Sequence, residues 1–332
     1  MIHGRPVSLA VLASVWLLGP ASVAHVQPPG AMLVVAGSGE AGFADGRGAG
    51  ARFNKPIRLA PFGDDAILVA DIFNHALRVV GRDGLVRTLA GGPDKKGHED
   101  GPAASARFAA PHGVGTARDG RVAVAEAENH TVRLLTPAPD VAGGYVVTTL
   151  AGMPGKSGAR DGPSSQALFN APHAALWGED AALYVPDIGN ATIRRVAAGT
   201  VETVARDGEA FVYPMDVAWM KDGRLVVADA GANLLRTWAP GRPVTTLPVQ
   251  GALSTPHGVA SGPDGTLYVA DMRSHRVLAI DGDGRVTTVA GLAGEAGADA
   301  THLNRPAAVL VHAGWLWIAD LDNHRICAVP LR

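Results

Sequence analysis

Short runs of aliphatic and β-branched residues recur along this chain, broken by Gly, Pro, Asp and Asn. The clearest is Leu267-Tyr-Val-Ala-Asp271, followed by a polar turn ending at Ser274-His275 and a second apolar run to Ile280. The same strand, acidic turn and strand recur with the acid at Asp71, Glu126, Asp187, Asp229, Asp271 and Asp320. Around each copy lie two further runs. One follows a proline (Pro256-His-Gly-Val-Ala260), and the other has the form Val286-Thr-Thr-Val-Ala-Gly291. Asp-Gly hairpin signals separate them, as in Gly262-Pro-Asp-Gly265 and Asp281-Gly-Asp-Gly284. The pattern predicts a four-stranded antiparallel meander. Its spacing of 42 between Asp229 and Asp271 (271 minus 229) lies in the range of propeller blades. An all-β, six-bladed β-propeller is expected. Residues 32–37 read as a fourth strand with no blade of their own, while the sixth unit lacks one after its third strand. Pairing the two closes the ring and removes open sheet edges.

Composition agrees with a large packed core: 47% of residues are hydrophobic and 18% charged. The formal net charge of -2, with cations scattered along the chain, argues against a nucleic-acid partner. Aromatic residues make up only 5%, which disfavours a sugar-stacking platform. Residues 1–24 have the layout of a secretory signal. Arg5 and the amino terminus precede an apolar run from Val7 to Leu18, and Ser22-Val23-Ala24 offers a cleavage site. That run is shorter than the ~20 residues a bilayer span needs. The expectation is export to the periplasm or cell exterior, a linker at 25–31, one domain at 32–332, no membrane span after signal removal, and a monomer. Cys327 is the single cysteine, so no internal disulfide can form. Its place in the last strand marks it as a small buried hydrophobe.

The repeat resembles the NHL-repeat family, whose unit carries a Val-Ala-Asp-x-x-Asn-His-Arg-Ile core after a Phe-Asn-x-Pro lead-in. The lead-in reads here as Phe53-Asn-Lys-Pro56, Phe108-Ala-Ala-Pro111 and Phe169-Asn-Ala-Pro172. The resemblance covers residues 32–332 and implies a six-bladed propeller. Such propellers serve as binding platforms and also as lyases and lactonases.

A residue type present in every repeat is scaffold. The acids are expected to accept backbone N–H groups of the turn that follows them, with Arg78, Arg133, Arg194 and Arg236 as partners. In the Asn-His pairs (Asn74-His75, Asn129-His130, Asn323-His324 and, as Ser-His, Ser274-His275), Asn suits a left-handed turn and His packs between blades. Trp177, Trp219, Trp315 and Trp317 are expected to pack between blades as well.

Asymmetry points to function. The position after the lead-in proline is His112, His173 and His257 in units two, three and five, but Ile57, Met215 and Ala307 elsewhere. At the starts of innermost strands these histidines would meet at the channel mouth, and three neutral imidazoles with an open position suit zinc or another divalent metal. The arrangement resembles the peptidyl-hydroxyglycine amidating lyases, in which channel histidines hold a catalytic zinc. That family's disulfides are impossible with one cysteine, and its other active-site residues cannot be placed on this sequence. One residue later, units one and four carry Arg58 and Asp216 where the others have Gly or Ala. Both are expected to reach water or a ligand in the channel mouth, or else to pair with neighbouring blades. A lactonase-like calcium site, as in gluconolactonase-like propellers, would need oxygen ligands at these strand starts, and only Asp216 qualifies. The connections at 37–51, 91–106, 152–167 and 291–303 are long and Gly-rich. They are expected to raise a wall on one side of the loop-bearing face, with His98 and His302 on it. The resulting expectation is a propeller that binds a small molecule or a protein through that face. The alternative is a metal-dependent lyase or hydrolase with His112, His173 and His257 as ligands and Arg58 orienting an anionic substrate.

Overall fold

Each proline-led run forms the innermost strand of a sheet, and the three runs after it hydrogen-bond outward in sequence order. In blade 5 these are Pro256–Ser261, Leu267–Asp271, Arg276–Ile280 and Val286–Gly291. The computed structural model describes Met1, residues 32–205 and residues 211–331; the expected signal and linker, apart from Met1, lie outside the described residues. Six such antiparallel sheets follow one another. Their inner strands touch in order, and that of blade 6 touches that of blade 1, which makes a ring. The ring closes as the pattern predicts: Leu33–Ala36 pairs antiparallel with Arg325–Pro330, with Leu33 opposite Ala328 and Val34 opposite Cys327. No helix among the described residues is long and apolar enough to cross a membrane.

The core lies between blades. Phe53, Leu59, Ile67 and Val69 of blade 1 pack against Trp317, Ala319 and Ile326 of blade 6. Cys327 is fully buried in the next cluster, where burial pushes its thiol pKa up. Close approach of the inner strands explains their small residues: a Cβ on Gly115 would lie 2.0 Å from the Ala175 carbonyl oxygen, and one on Gly113 would lie 2.5 Å from Ala174 Cα.

The acidic series is structural, but its partners differ from those expected. Each carboxylate accepts a backbone N–H from the lead-in loop before its blade, not from the turn after it. Asp71 takes Asn54, Glu126 takes Ala109, Asp187 takes Asn170, Asp229 takes Val212 and Tyr213, Asp271 takes Ser254, and Asp320 takes Asn304. The other oxygen faces arginine. Arg78, Arg133 and Arg194 lie 3.0, 3.1 and 2.8 Å from their acids, whereas Arg236 stands off at 3.6 Å. In blades 5 and 6 the cation comes instead from the first residue of the third strand, as Arg276 and Arg325 at 2.9 and 2.7 Å.

In the Asn-His pairs the roles are exchanged. The histidine adopts the left-handed conformation, with φ near 50° at His75 and His324. The asparagine instead hydrogen-bonds the acid (Asn74 to Asp71, 2.7 Å) and a loop carbonyl. His75, His130, His275 and His324 each accept an N–H from the next blade through Nδ1, at 3.1–3.2 Å. Blade 4 substitutes Asn233, whose Oδ1 accepts the Thr255 N–H. Trp177 and Trp219 bridge blades by donating from Nε1 to the carbonyls of Gly115 and Trp177.

The long loops are not all spent on a wall at one side of the loop-bearing face. Three of them run to the perimeter, where Gly46–Arg47, Gly101–Pro102 and Gly162–Pro163 add a short fifth strand outside blades 1, 2 and 3. The Asp-Gly pairs enforce this path: Gly46, Gly101 and Gly162 take φ of 152°, 126° and 120°, which side-chain-bearing residues rarely adopt. Asp45, Asp100 and Asp161 meanwhile bond the buried arginines.

Two consequences can be measured. Asp187→Ala leaves the Asn170 N–H unmet and Arg194, which is 1% exposed, with Asp161 as its remaining carboxylate, and is expected to cost about 2–3 kcal/mol in denaturant unfolding; a loss below about 1 kcal/mol would mean the pair is dispensable. Removing residues 1–37 unpairs Arg325–Pro330, and lower Tm with concentration-dependent association in light scattering is expected.

Candidate functional site

The inner strands share a defect that builds the channel. In blades 1, 2, 4, 5 and 6 the pairing of first and second strands slips just after the proline: Pro111 faces Glu126 but Gly113 faces Ala125, and Pro256 faces Asp271 but Gly258 faces Ala270. The residue between is an unpaired bulge, a device that re-aims a side chain. Those bulged residues are Ile57, His112, Met215, His257 and Ala307. In blade 3 the regular inner strand shrinks to Leu176–Trp177, leaving His173 in irregular backbone.

The three histidines expected to meet do meet. The His112 and His173 ring centres are 3.7 Å apart and those of His112 and His257 are 6.0 Å apart. Each ring is held by Nδ1, which donates to a carbonyl: His112 to His173 at 3.0 Å, His173 to Ala171 at 2.9 Å, and His257 to Ala307 at 2.8 Å. A carbonyl only accepts, so Nδ1 carries the proton. Burial is the main cause of lowered pKa in all three. It holds His173 at about 4 and His257 at about 3, with Arg58 adding repulsion, and His112 is pushed well down, further so by His173, Arg58 and His257. At neutral pH the rings are uncharged and each Nε2 is an acceptor. None of the three Nε2 atoms is among the buried atoms lacking a partner.

Arg58 and Asp216 form their ion pair with each other rather than with charges on neighbouring blades, and both are buried from water at the mouth. They stand on opposite blades, 3% and 6% exposed, and span the channel with Arg58 Nη1 2.5 Å from Asp216 Oδ2. Arg58 Nη2 donates to the Met215 carbonyl at 3.0 Å, and Asp216 Oδ2 accepts the Val259 N–H at 3.0 Å. Burial lowers the Arg58 pKa and raises that of Asp216, and each charge opposes that effect on the other. Arg58 Nε and Nη1 make no directed hydrogen bond, so the Nη1 contact is close but poorly aimed. The pair divides the channel, with the histidines toward the loop-bearing face and a cavity of about 310 Å³ along the later halves of the inner strands.

A shared metal ion does not fit this arrangement. Two imidazoles on one tetrahedral zinc, with Zn–N near 2.0–2.1 Å, keep ring centres roughly 5 Å apart, and the His112–His173 stack is tighter than that. Among the described residues no group of three His, Cys, Asp or Glu is placed to hold an ion. His98 and His302 are engaged elsewhere, with Thr149 and Asp299. Sequence reasoning missed Phe73 and Tyr213, which are 56% and 50% exposed. They lie in the acidic turn of blade 1 and the lead-in of blade 4, on opposite sides of the mouth. The signal was available as apolar residues at positions other repeats fill with small or polar ones.

Suppressed histidine pKa values have a signed effect. Between pH 6.5 and about 4 the unfolded chain binds protons that His173 and His257 in the native state do not, so stability falls as pH falls, by up to about 1.4 kcal/mol per pH unit per ring. Asp71, Asp187, Asp216 and Asp320, whose pKa values are raised mainly by burial, act in the opposite sense. The comparison is therefore made against a variant: His257→Gln is expected to flatten the Tm-against-pH profile over this window, and an unchanged slope would contradict a buried neutral His257.

The sequence profile of the NHL repeat matches residues 253–280, the lead-in and first three strands of blade 5. A 148-residue segment, 42% of this chain, is 32% identical to the protein Suppressor of Quenching 1, chloroplastic, of Arabidopsis thaliana, and spans 13% of that protein. Among solved structures, a protein of unknown function from Bacteroides thetaiotaomicron superposes with a TM-score of 0.68 at 20% identity, over 90% of this chain and 75% of that one. An auxiliary nutrient binding protein from Bacteroides ovatus gives 0.67 at 15% identity, over 90% and 76%. Virginiamycin B lyase from Staphylococcus aureus gives 0.59 at 11% identity, over 87% and 99%. At such identities the structural likeness is one of fold. Its six sheets and closed ring make the chain a six-bladed β-propeller, and the segment in blade 5 matches the NHL repeat.

Proposed function

We propose that this protein is an exported binding propeller that takes a small molecule on its loop-bearing face, with His112, His173 and His257 as the floor of the site. The observation that carries this reading is the common state of the three rings: Nδ1 fixed to backbone, Nε2 left as an acceptor, and no charge at neutral pH. Three convergent neutral acceptors complement a ligand rich in hydroxyl or N–H donors. Phe73 and Tyr213 supply apolar contact at the rim. The fold likeness to an auxiliary nutrient binding protein and the signal-like residues 1–24 are compatible with this role.

The lyase-like alternative draws on the fold likeness to virginiamycin B lyase and on the backbone-anchored Nδ1 atoms, an arrangement metal-ligating histidines also use. The tight His112–His173 stack stands against it, so binding without chemistry is preferred.

Two measurements decide between them. Elemental analysis of the purified protein is expected to find well under one divalent ion per chain; a stoichiometric ion lost in the His112→Ala/His173→Ala/His257→Ala variant would promote the enzyme. In a thermal-shift panel of monosaccharides and polyols, at least one compound is expected to raise Tm for the native protein, and His173→Gln with His257→Gln to weaken that compound at least about ten-fold. A panel with no stabilising compound would count against the binding floor.

A further inference from the structure

On the other side of the Arg58–Asp216 pair lies a chamber that the histidine floor does not reach. Its walls come from the second halves of the inner strands, with Leu59, Val114, Val217, Val259, Val309 and Leu310 among them, and its volume is about 310 Å³. Since a cavity of about 150 Å³ holds a benzene, this one takes a body roughly twice that size.

The polar side chains of the wall are nearly all spent. Thr116 Oγ1 donates to the Pro61 carbonyl at 2.7 Å, Ser261 Oγ to the Gly262 carbonyl at 3.4 Å, and both indoles use Nε1 on neighbouring carbonyls. Trp177 and Trp219 therefore offer the chamber apolar surface. The exception is Arg58, which is 3% exposed and whose Nε has no partner among the described residues. A buried donor left unmet carries the full cost of its lost hydration, so an acceptor at this point recovers that penalty. Charge selects which acceptor. Asp216 already neutralises the guanidinium, and the imidazoles beyond the pair are uncharged. A carboxylate would bring an uncompensated charge into a buried place, whereas a neutral carbonyl oxygen meets the N–H without one.

We propose that this chamber is a second binding site, for an uncharged carbonyl compound with an apolar body, such as an amide, ester or ketone, whose oxygen accepts from Arg58 Nε. It is separate from the loop-face site, so either can exist without the other.

The test uses three compounds of similar shape on the full chain, measured by calorimetry and ligand-observed NMR: N-propylbenzamide, 4-butylbenzoate and butylbenzene. The amide is expected to bind at least ten-fold more tightly than either of the others. Arg58→Lys, which keeps the charge but lacks the Nε–H, is expected to erase that preference. Ser261→Trp, which fills the chamber without touching the ion pair, is expected to abolish amide binding, and it decides the matter if Arg58→Lys does not fold. The proposal is overturned if the amide does not bind the native protein, if butylbenzene binds equally well, if 4-butylbenzoate binds more tightly, or if Ser261→Trp leaves amide binding unchanged.

Discussion

A carboxylate at the end of the second strand holds each blade in place. One oxygen fixes the lead-in loop by its backbone N–H, and the other faces an arginine of the third strand. In blades 1, 2 and 3 that arginine also clamps the carbonyls of the incoming loop. A charge as deeply buried as Asp71 or Asp187 would be prohibitive alone, and it is tolerated because its hydrogen-bonding capacity is filled. The interaction joins segments 17 residues apart in blades 1, 2 and 3, so it sets where the inner strand begins. The histidine in the left-handed turn then bonds the next blade, and the same motif that shapes one sheet registers it against its neighbour.

That registration creates the channel chemistry. Because the lead-in loop is pinned and the pairing slips just after the proline, one residue per blade is expelled from the ladder toward the axis. Repetition supplies the positions, and substitution at them supplies the site. Small or aliphatic residues at three of the six leave room for imidazoles at the others. One residue further on, arginine and aspartate on opposite blades reach across the bore. Their contact makes two chambers of one channel, and it lets charged side chains sit there without a net charge.

Blade number, ring closure, the scaffold role of the acids and the convergence of His112, His173 and His257 were all legible in the chain. Periodicity reports what every blade must satisfy, and departures from it report what only some blades do. The partner of each acid was not legible, because the N–H it binds lies in an irregular lead-in whose path depends on the finished sheet. The loops were misjudged for a related reason: Asp45-Gly46 and its counterparts look like exposed tips, yet their aspartates are drawn to arginines on third strands. Arg276 and Arg325 went unnoticed because they reach the same acid from a different position.

The chain by itself determined the architecture, since alternation, turn residues and a repeat near 42 residues admit few arrangements other than a ring of meanders. Only the tertiary structure decided what the departures mean. Whether Arg58 and Asp216 meet depends on the bore of the ring and on which blades stand opposite. How closely the three histidines approach one another depends on ring spacings set by bulges and by backbone carbonyls of neighbouring strands. Those are distances across the axis, and a one-dimensional pattern holds no information about them until the blades are packed.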